Sequence, residues 1–213
     1  MINRDGSGQR SLTSEDMTSM YPRWSPDGKW ISYQARKPSE PNDSSNVFLI
    51  EAANPGMPKN IGRGSSAHWI SDSSLIFWKF PNSWLLHVDG SPPQKYFEDS
   101  TFAFPVDKFI LFFDNHAGKQ GFFKVKKGDA SDKAVKISEN INSAVHDVAG
   151  KKVYMINSSN ELVRLDVVTL KVEKIKGVPL GSYSSSIRPD EKEMVYSDRQ
   201  TRSKLVIIEN LFK

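Results

Sequence analysis

Short, almost continuous apolar runs alternate along the chain with polar, turn-forming stretches, and the runs return about every 40 residues. The clearest unit is YPRWSPDGKWISY over residues 21–33: an extended approach ending at Trp24, the turn Ser25-Pro26-Asp27-Gly28, and a strand rich in aromatic and β-branched residues. Proline pre-sets φ in such a turn, Asp can bond its own backbone, and glycine accepts the positive φ that ends it. A single hairpin is marginal alone and needs neighbours to cover its apolar faces. The first unit predicts further strands over 30–35, 47–51 and 59–62, with the chain's longest loop, KPSEPNDSSN, between the first two. The second has Trp69, a turn over 71–74 and strands over 75–79, 84–89 and 94–98. The third follows Phe104 and a turn over 106–108 with strands over 109–113, 121–126 and 134–138. The fourth follows Val145 with 152–156, 161–167 and 171–175, and the fifth carries Arg188-Pro189-Asp190-Glu191 with strands over 194–196 and 205–208. Second strands such as LIFW and FILFF are apolar throughout where a half-exposed strand would alternate, which predicts burial on both faces. Without helical periodicity, such units predict an all-β fold, a β-propeller of about five four-stranded antiparallel blades forming one domain over residues 1–213. Blade limits fall near 21–63, 64–99, 100–139, 140–177 and 178–213.

The segment PRWSPDGKWISYQ resembles the repeat of TolB-like (WD-repeat-like) β-propellers, and DGSGQRSLT over residues 5–13 resembles the turn and outer strand that precede such a repeat. IRPD at 187–190 with MVYSDR at 194–199 is similar to a last repeat of the same kind. The resemblance is strong in the first and fifth units, weaker in the second and third, and only periodic in the fourth. It implies a fold more than a function, because the family includes periplasmic partner-binding proteins, sensor-like propellers of bacterial kinases and regulators, and propellers that gate peptidases. The fifth unit lacks a fourth strand, and residues 9–13 read as an unpartnered one. Residues 9–13 are therefore expected to close the ring as a strand of the last blade. The alternative is that the chain is the C-terminal part of a larger propeller.

Composition narrows the chemistry. Zero cysteines excludes disulfides, thiolate metal sites and cysteine catalysis. No run of eighteen apolar residues suggests a membrane span. The N-terminus lacks the apolar core of a signal peptide, which predicts a cytoplasmic protein if Met1 is the native start, whereas the resemblance implies a periplasmic one. The net charge is +4, unevenly spread: residues 119–176 carry 12 Lys/Arg against 7 Asp/Glu, while residues 1–118 carry 11 against 13. Lysines alternating with apolar residues, as in KVEKIK at 171–176, read as an outward or edge strand, not a nucleic-acid surface.

No hydrolase elbow, Ser-x-x-Lys or His-Glu-x-x-His pattern occurs. The glycine-rich GRGSS at 62–66 follows a polar strand and opens no helix, so it reads as a link between blades. His68, His87, His116 and His146 never stand at ligand spacing, and neither a metal nor another cofactor is expected. Arg36, Lys79, His116 and Arg199 mark the ends of second strands, a candidate basic crown for an acidic segment of a partner. Local pairing, as of Arg199 with Asp198, is the stronger reading. Trp24, Trp30, Trp69, Phe109 and Phe112 are expected in the core. Trp78 and Trp84 flank a short loop and are the better candidates for a contact patch, although core is their default too. The expectation is a non-enzymatic protein- or peptide-binding propeller. The alternatives are a propeller glycan hydrolase using carboxylates such as Asp16, Asp99 and Asp147, or the gating propeller of a peptidase.

Overall fold

The computed structural model describes residues 5, 7–13, 15–41, 44–114, 121–129, 131–138, 141–149, 151–157, 159, 161–175, 185–187, 193–199 and 203–209. They form five antiparallel sheets in chain order. The first holds β1 (Thr18–Trp24), β2 (Trp30–Arg36), β3 (Asn46–Glu51) and β4 (Lys59–Arg63). The second holds β5 (Ser65–Trp69), β6 (Ser74–Lys79), β7 (Asn82–His87) and β8 (Gln94–Phe97). The third is built from β9 (Ser100–Val106), β10 (Phe109–Asp114), β11 (Gly121–Lys126) and β12 (Val135–Ser138). The fourth is built from β13 (Ile141–Ala149), β14 (Lys152–Asn157), β15 (Leu162–Asp166) and β16 (Val172–Lys174). The last has three described strands, β17 (Ser185–Ile187), β18 (Glu193–Arg199) and β19 (Ser203–Glu209). Each sheet is a meander in which sequence neighbours pair, so the strand, turn and strand unit read from the sequence is the unit of structure. The chain divides into two compact units, residues 1–104 and 105–213.

The turn after Trp24 shows why this unit starts cleanly. Ser25 Oγ donates to Asp27 Oδ1 at 2.7 Å and accepts from the Trp30 amide at 2.9 Å, while the Gly28 amide reaches Ser25 O at 2.9 Å. Gly28 has φ +71, the left-handed value that closes the turn. Asp27 Oδ1 also accepts from the Lys29 amide, so one serine and one aspartate satisfy the backbone groups that the chain reversal would leave open.

Within the first unit the two faces of the first sheet have different covers. Residues that alternate along a strand point to opposite faces. Val47 and Leu49, with Trp30 and Ile61, pack against Trp69, Leu75, Phe77 and Leu86 of the second sheet. On the other face Ile31, Tyr33, Ala35, Ile50 and Ala52 form a second cluster with Leu12, Met17 and Phe48. The doubly covered strand β2 is therefore buried on both sides, and even Ser32 is inaccessible.

Two expectations change here. Residues 9–13 are not a strand: Leu12 packs on the first sheet and Arg10 Nη2 donates to Ala52 O at 3.0 Å, so this segment lies along the first sheet's outer cluster. Short polar side chains around one leucine give it a single apolar anchor and no alternating face. Trp24 is not core but 53% exposed. It stands opposite Ile31, on the face that Leu12 and Met17 cover only in part, just past a bulge between Met20 and Arg23. Trp69 and Phe112 are buried as expected, Trp30 packs at the edge of the inter-sheet cluster, and Phe109 is half-buried beneath Lys108 and Lys124.

The basic third of the sequence is largely paired where it is described. Arg164 bridges Glu173, Lys171 meets Glu173 at 2.7 Å, Lys174 meets Glu161, and Lys124 Nζ donates to Val167 O at 2.7 Å. Hydrogen bonding from Lys171 and then Arg164 pushes the Glu173 carboxyl down to about 2.

Gly64 makes the crossing from β4 to β5. A Cβ there would lie 2.7 Å from Phe77 Cδ2 and 2.9 Å from Trp78 O, whereas one on Gly56 would meet nothing within 4 Å. Overpacking of this kind costs about 1–3 kcal/mol. Gly64→Ala is accordingly expected to lower the urea-unfolding free energy by roughly that amount. Gly56→Ala leaves it nearly unchanged; equal effects would show that the crossing is not tight.

Candidate functional site

The strand ends of the first unit surround a cavity of about 730 Å3. Gln34 near the end of β2, Ser45 before β3, Arg63 ending β4, Gly64 to Ser66 at the crossing, and Trp78, Lys79 and Phe80 at the β6 hairpin line it, with Tyr21. The register explains the grouping, because Thr18 pairs with Arg36 and Ser65 pairs with Trp78, which brings the starts of first strands to the ends of second strands. Gln34 lies on the side of β2 that faces the second sheet, and its Oε1 accepts from the Ser66 amide at 3.2 Å. Gly64 donates to Ser45 O at 3.0 Å and ties the same crossing to the first sheet. The stretch read as a link between blades is indeed the β4–β5 connection, and it also forms part of the cavity wall.

The aromatic candidates separate. Phe77 pairs with Trp84 and Trp78 with Ser83, so the two indoles occupy opposite faces of the second sheet. Trp84 packs on the inter-sheet core, with Lys79 Nζ 5.4 Å from its ring centroid. Trp78 stacks on Phe102 at 6.3 Å and meets Phe80 edge-on at 6.1 Å. Phe80, at the hairpin tip, is 81% exposed, and Tyr21 is 65% exposed with φ +55 in the β1 bulge. Of the two tryptophans, Trp78 alone lines the cavity, and the indole nitrogens of both are buried without a hydrogen-bond partner among the described residues.

The strand-end cations also separate. Arg36 Nη1 donates to three carbonyls of its own loop, Lys37 O at 3.2 Å, Pro38 O at 3.4 Å and Glu40 O at 2.7 Å. Its charge thus organises the long loop after β2. Lys79 is exposed and lines the cavity. In the third sheet the second strand ends at Asp114, and His116 lies outside the described residues. Arg199 ends β18, where strand pairing is described but not the side chain. The cavity residues that sequence reasoning passed over are Gln34, Ser45, Tyr21 and Phe80. Gln34 carried a signal, as the one amide side chain in a doubly covered strand.

Among the carboxylates raised for hydrolysis, Asp16 is exposed and Asp99 is half-buried, its amide donating to Asn82 Oδ1 at 3.2 Å. Asp147 lies in β13 with its side chain undescribed. Among the described residues no group of three or more His, Asp or Glu is arranged to hold a metal ion. No helix among them is long and apolar enough to cross a membrane.

Successive four-stranded antiparallel meanders, stacked where the first and second sheets meet, are blades of the β-propeller kind, and solved structures agree. The chain has the fold of TolB-like β-propeller proteins. TolB from Acinetobacter baumannii matches at a TM-score of 0.67 and 19% identity, covering 98% of this chain and 56% of that one. A TolB-type protein from Agrobacterium tumefaciens matches at 0.67 and 14% identity, covering 98% and 83%. An oligogalacturonate lyase solved with manganese matches at 0.70 and 10% identity, covering 100% and 71%. Peptidases match as well, among them the β-propeller domain of the Trilobed protease from Pyrococcus furiosus, described as having an open velcro topology. The chain thus spans little more than half the length of the first of these proteins. No protein-family model matches it, and no curated protein matches it in sequence.

His68, on β5, has its ring tilted against Phe104 at 6.0 Å. Burial of the ring, and after it the Arg23 guanidinium, push its pKa down to about 3, although the residue as a whole keeps some exposed surface. The folded state then binds no proton here between about pH 6.5 and 3, while the unfolded chain does, so stability falls as the pH drops through that window. Urea midpoints measured from pH 7.5 to pH 5.5, above the ordinary carboxylate range, should fall for the wild type and fall less for His68→Gln. Parallel curves would contradict the burial of a neutral ring.

Proposed function

We propose that the chain is a non-enzymatic binding module, a β-propeller of five blades whose loop-bearing strand ends engage a protein or peptide within a bacterial envelope or signalling system. The observation that carries this reading is the cavity at the β2 and β6 strand ends, with exposed Phe80 and Tyr21 beside the lysine Lys79. Large aromatics that present apolar area at a loop tip are characteristic anchors of protein interfaces. The TolB proteins among the similar structures favour a binding role by analogy of fold, while the lyase and peptidases with the same fold keep the enzymatic reading as the competitor. Arg36, Lys79, His116 and Arg199 stay in the proposal as a cationic set at second-strand ends, with Arg36 acting through the loop that it holds.

Selection of a random dodecamer peptide library on the immobilised chain tests the proposal. Enrichment of a related set of sequences that compete with one another for the chain is the expected result. Failure to enrich any sequence would overturn it, and release of reducing ends from a panel of polysaccharides would replace it with the hydrolase reading.

A further inference from the structure

The wall of the 730 Å3 cavity has a one-sided chemistry. No aspartate or glutamate lines it. Gln34 gives its Oε1 to the Ser66 amide, which fixes the side chain by its acceptor end. Among the described residues its Nε2 then has no hydrogen-bond partner, and neither do the hydroxyls of Tyr21, Ser65 and Ser66. Lys79 completes the set, an exposed ammonium whose one described interaction is with the Trp84 ring. An ammonium has only protons to offer, and so has an amide nitrogen whose oxygen is engaged. The hydroxyls can donate or accept, so the cavity offers a set of available donors around a positive charge, with Phe80 and Tyr21 supplying exposed apolar area beside it.

From this arrangement we propose that the cavity between the first two sheets is a recognition pocket for a peptide carboxylate, an Asp or Glu side chain flanked by a large apolar residue. The acid accepts from Gln34 Nε2, the serine hydroxyls and Lys79, and the apolar neighbour rests on Phe80 and Tyr21. Charge-assisted hydrogen bonds to a carboxylate are roughly twice as strong as neutral ones, so a neutral isostere of the acid is rejected. The inference rests on the peptide-binding reading above and adds the ligand class and the residues that select it.

The test uses the dodecamers enriched on the wild-type chain and measures their affinity by titration calorimetry against Gln34→Glu, Lys79→Glu and the exposed, non-lining control Lys126→Glu. Gln34→Glu is the sharper variant, because it keeps an oxygen for the Ser66 amide while turning the donor into an acceptor. The expected peptides share an acid beside a large apolar residue, and amidating that acid weakens binding at least tenfold. Gln34→Glu and Lys79→Glu weaken it as much with an unchanged thermal midpoint, and Lys126→Glu does not. Peptides that lack the acid, or that bind both pocket variants as tightly as wild type, would overturn the pocket while leaving the binding module standing. Absence of any enriched peptide would remove the reading beneath it.

Discussion

Burial of strands on both faces is the constraint from which the rest follows. β2 of the first sheet, β6 of the second and β10 of the third carry apolar or fully covered residues at successive positions, so no strand of this kind can sit at a solvated surface. Each fully buried large side chain contributes about 1.5–3 kcal/mol, and a sheet with such a strand at its middle gains that only when both faces have neighbours. The chain meets this by repeating one meander, and the first and second sheets show the result, with Val47 and Leu49 of one set against Leu75, Phe77 and Leu86 of the other. Side chains that have no neighbouring sheet to satisfy are thereby confined to the strand ends and the loops between them.

The same constraint decides what was legible in the sequence. The second strands of the first four units stand within a residue of where the apolar runs place them, because continuous burial leaves a continuous signal. First strands were harder: β1 begins at Thr18, three residues before the unit was read to start, since its exposed, bulged course lacks an apolar run. Trp24 was misplaced for a related reason. Its size argues for burial, but whether a face is covered depends on what lies beyond it, and composition cannot report that.

The site was legible by location and less so by membership. Strand-end reasoning reached Lys79 and Trp78, both of which line the cavity, and also Arg36, whose guanidinium faces its own loop. Trp78 and Trp84 are neighbours along one hairpin but do not share a face, because adjacency along a hairpin does not give register, and the pairing of Trp78 with Ser83 sends the two indoles to opposite sides. Gln34 and the Gly64 to Ser66 crossing needed the third dimension. Their importance comes from a contact between residues 32 positions apart that no local pattern encodes.

The long loop after β2 is anchored at its root by a residue of the strand itself. With three of its carbonyls gathered by one guanidinium and the Lys37 amide held by the Glu40 carboxylate, its first turn is complete without help from any neighbouring sheet. Such a loop is a cassette. Its distal residues can lengthen, shorten or change sequence while the sheet below keeps its register, so a scaffold of this kind can acquire new specificities one loop at a time.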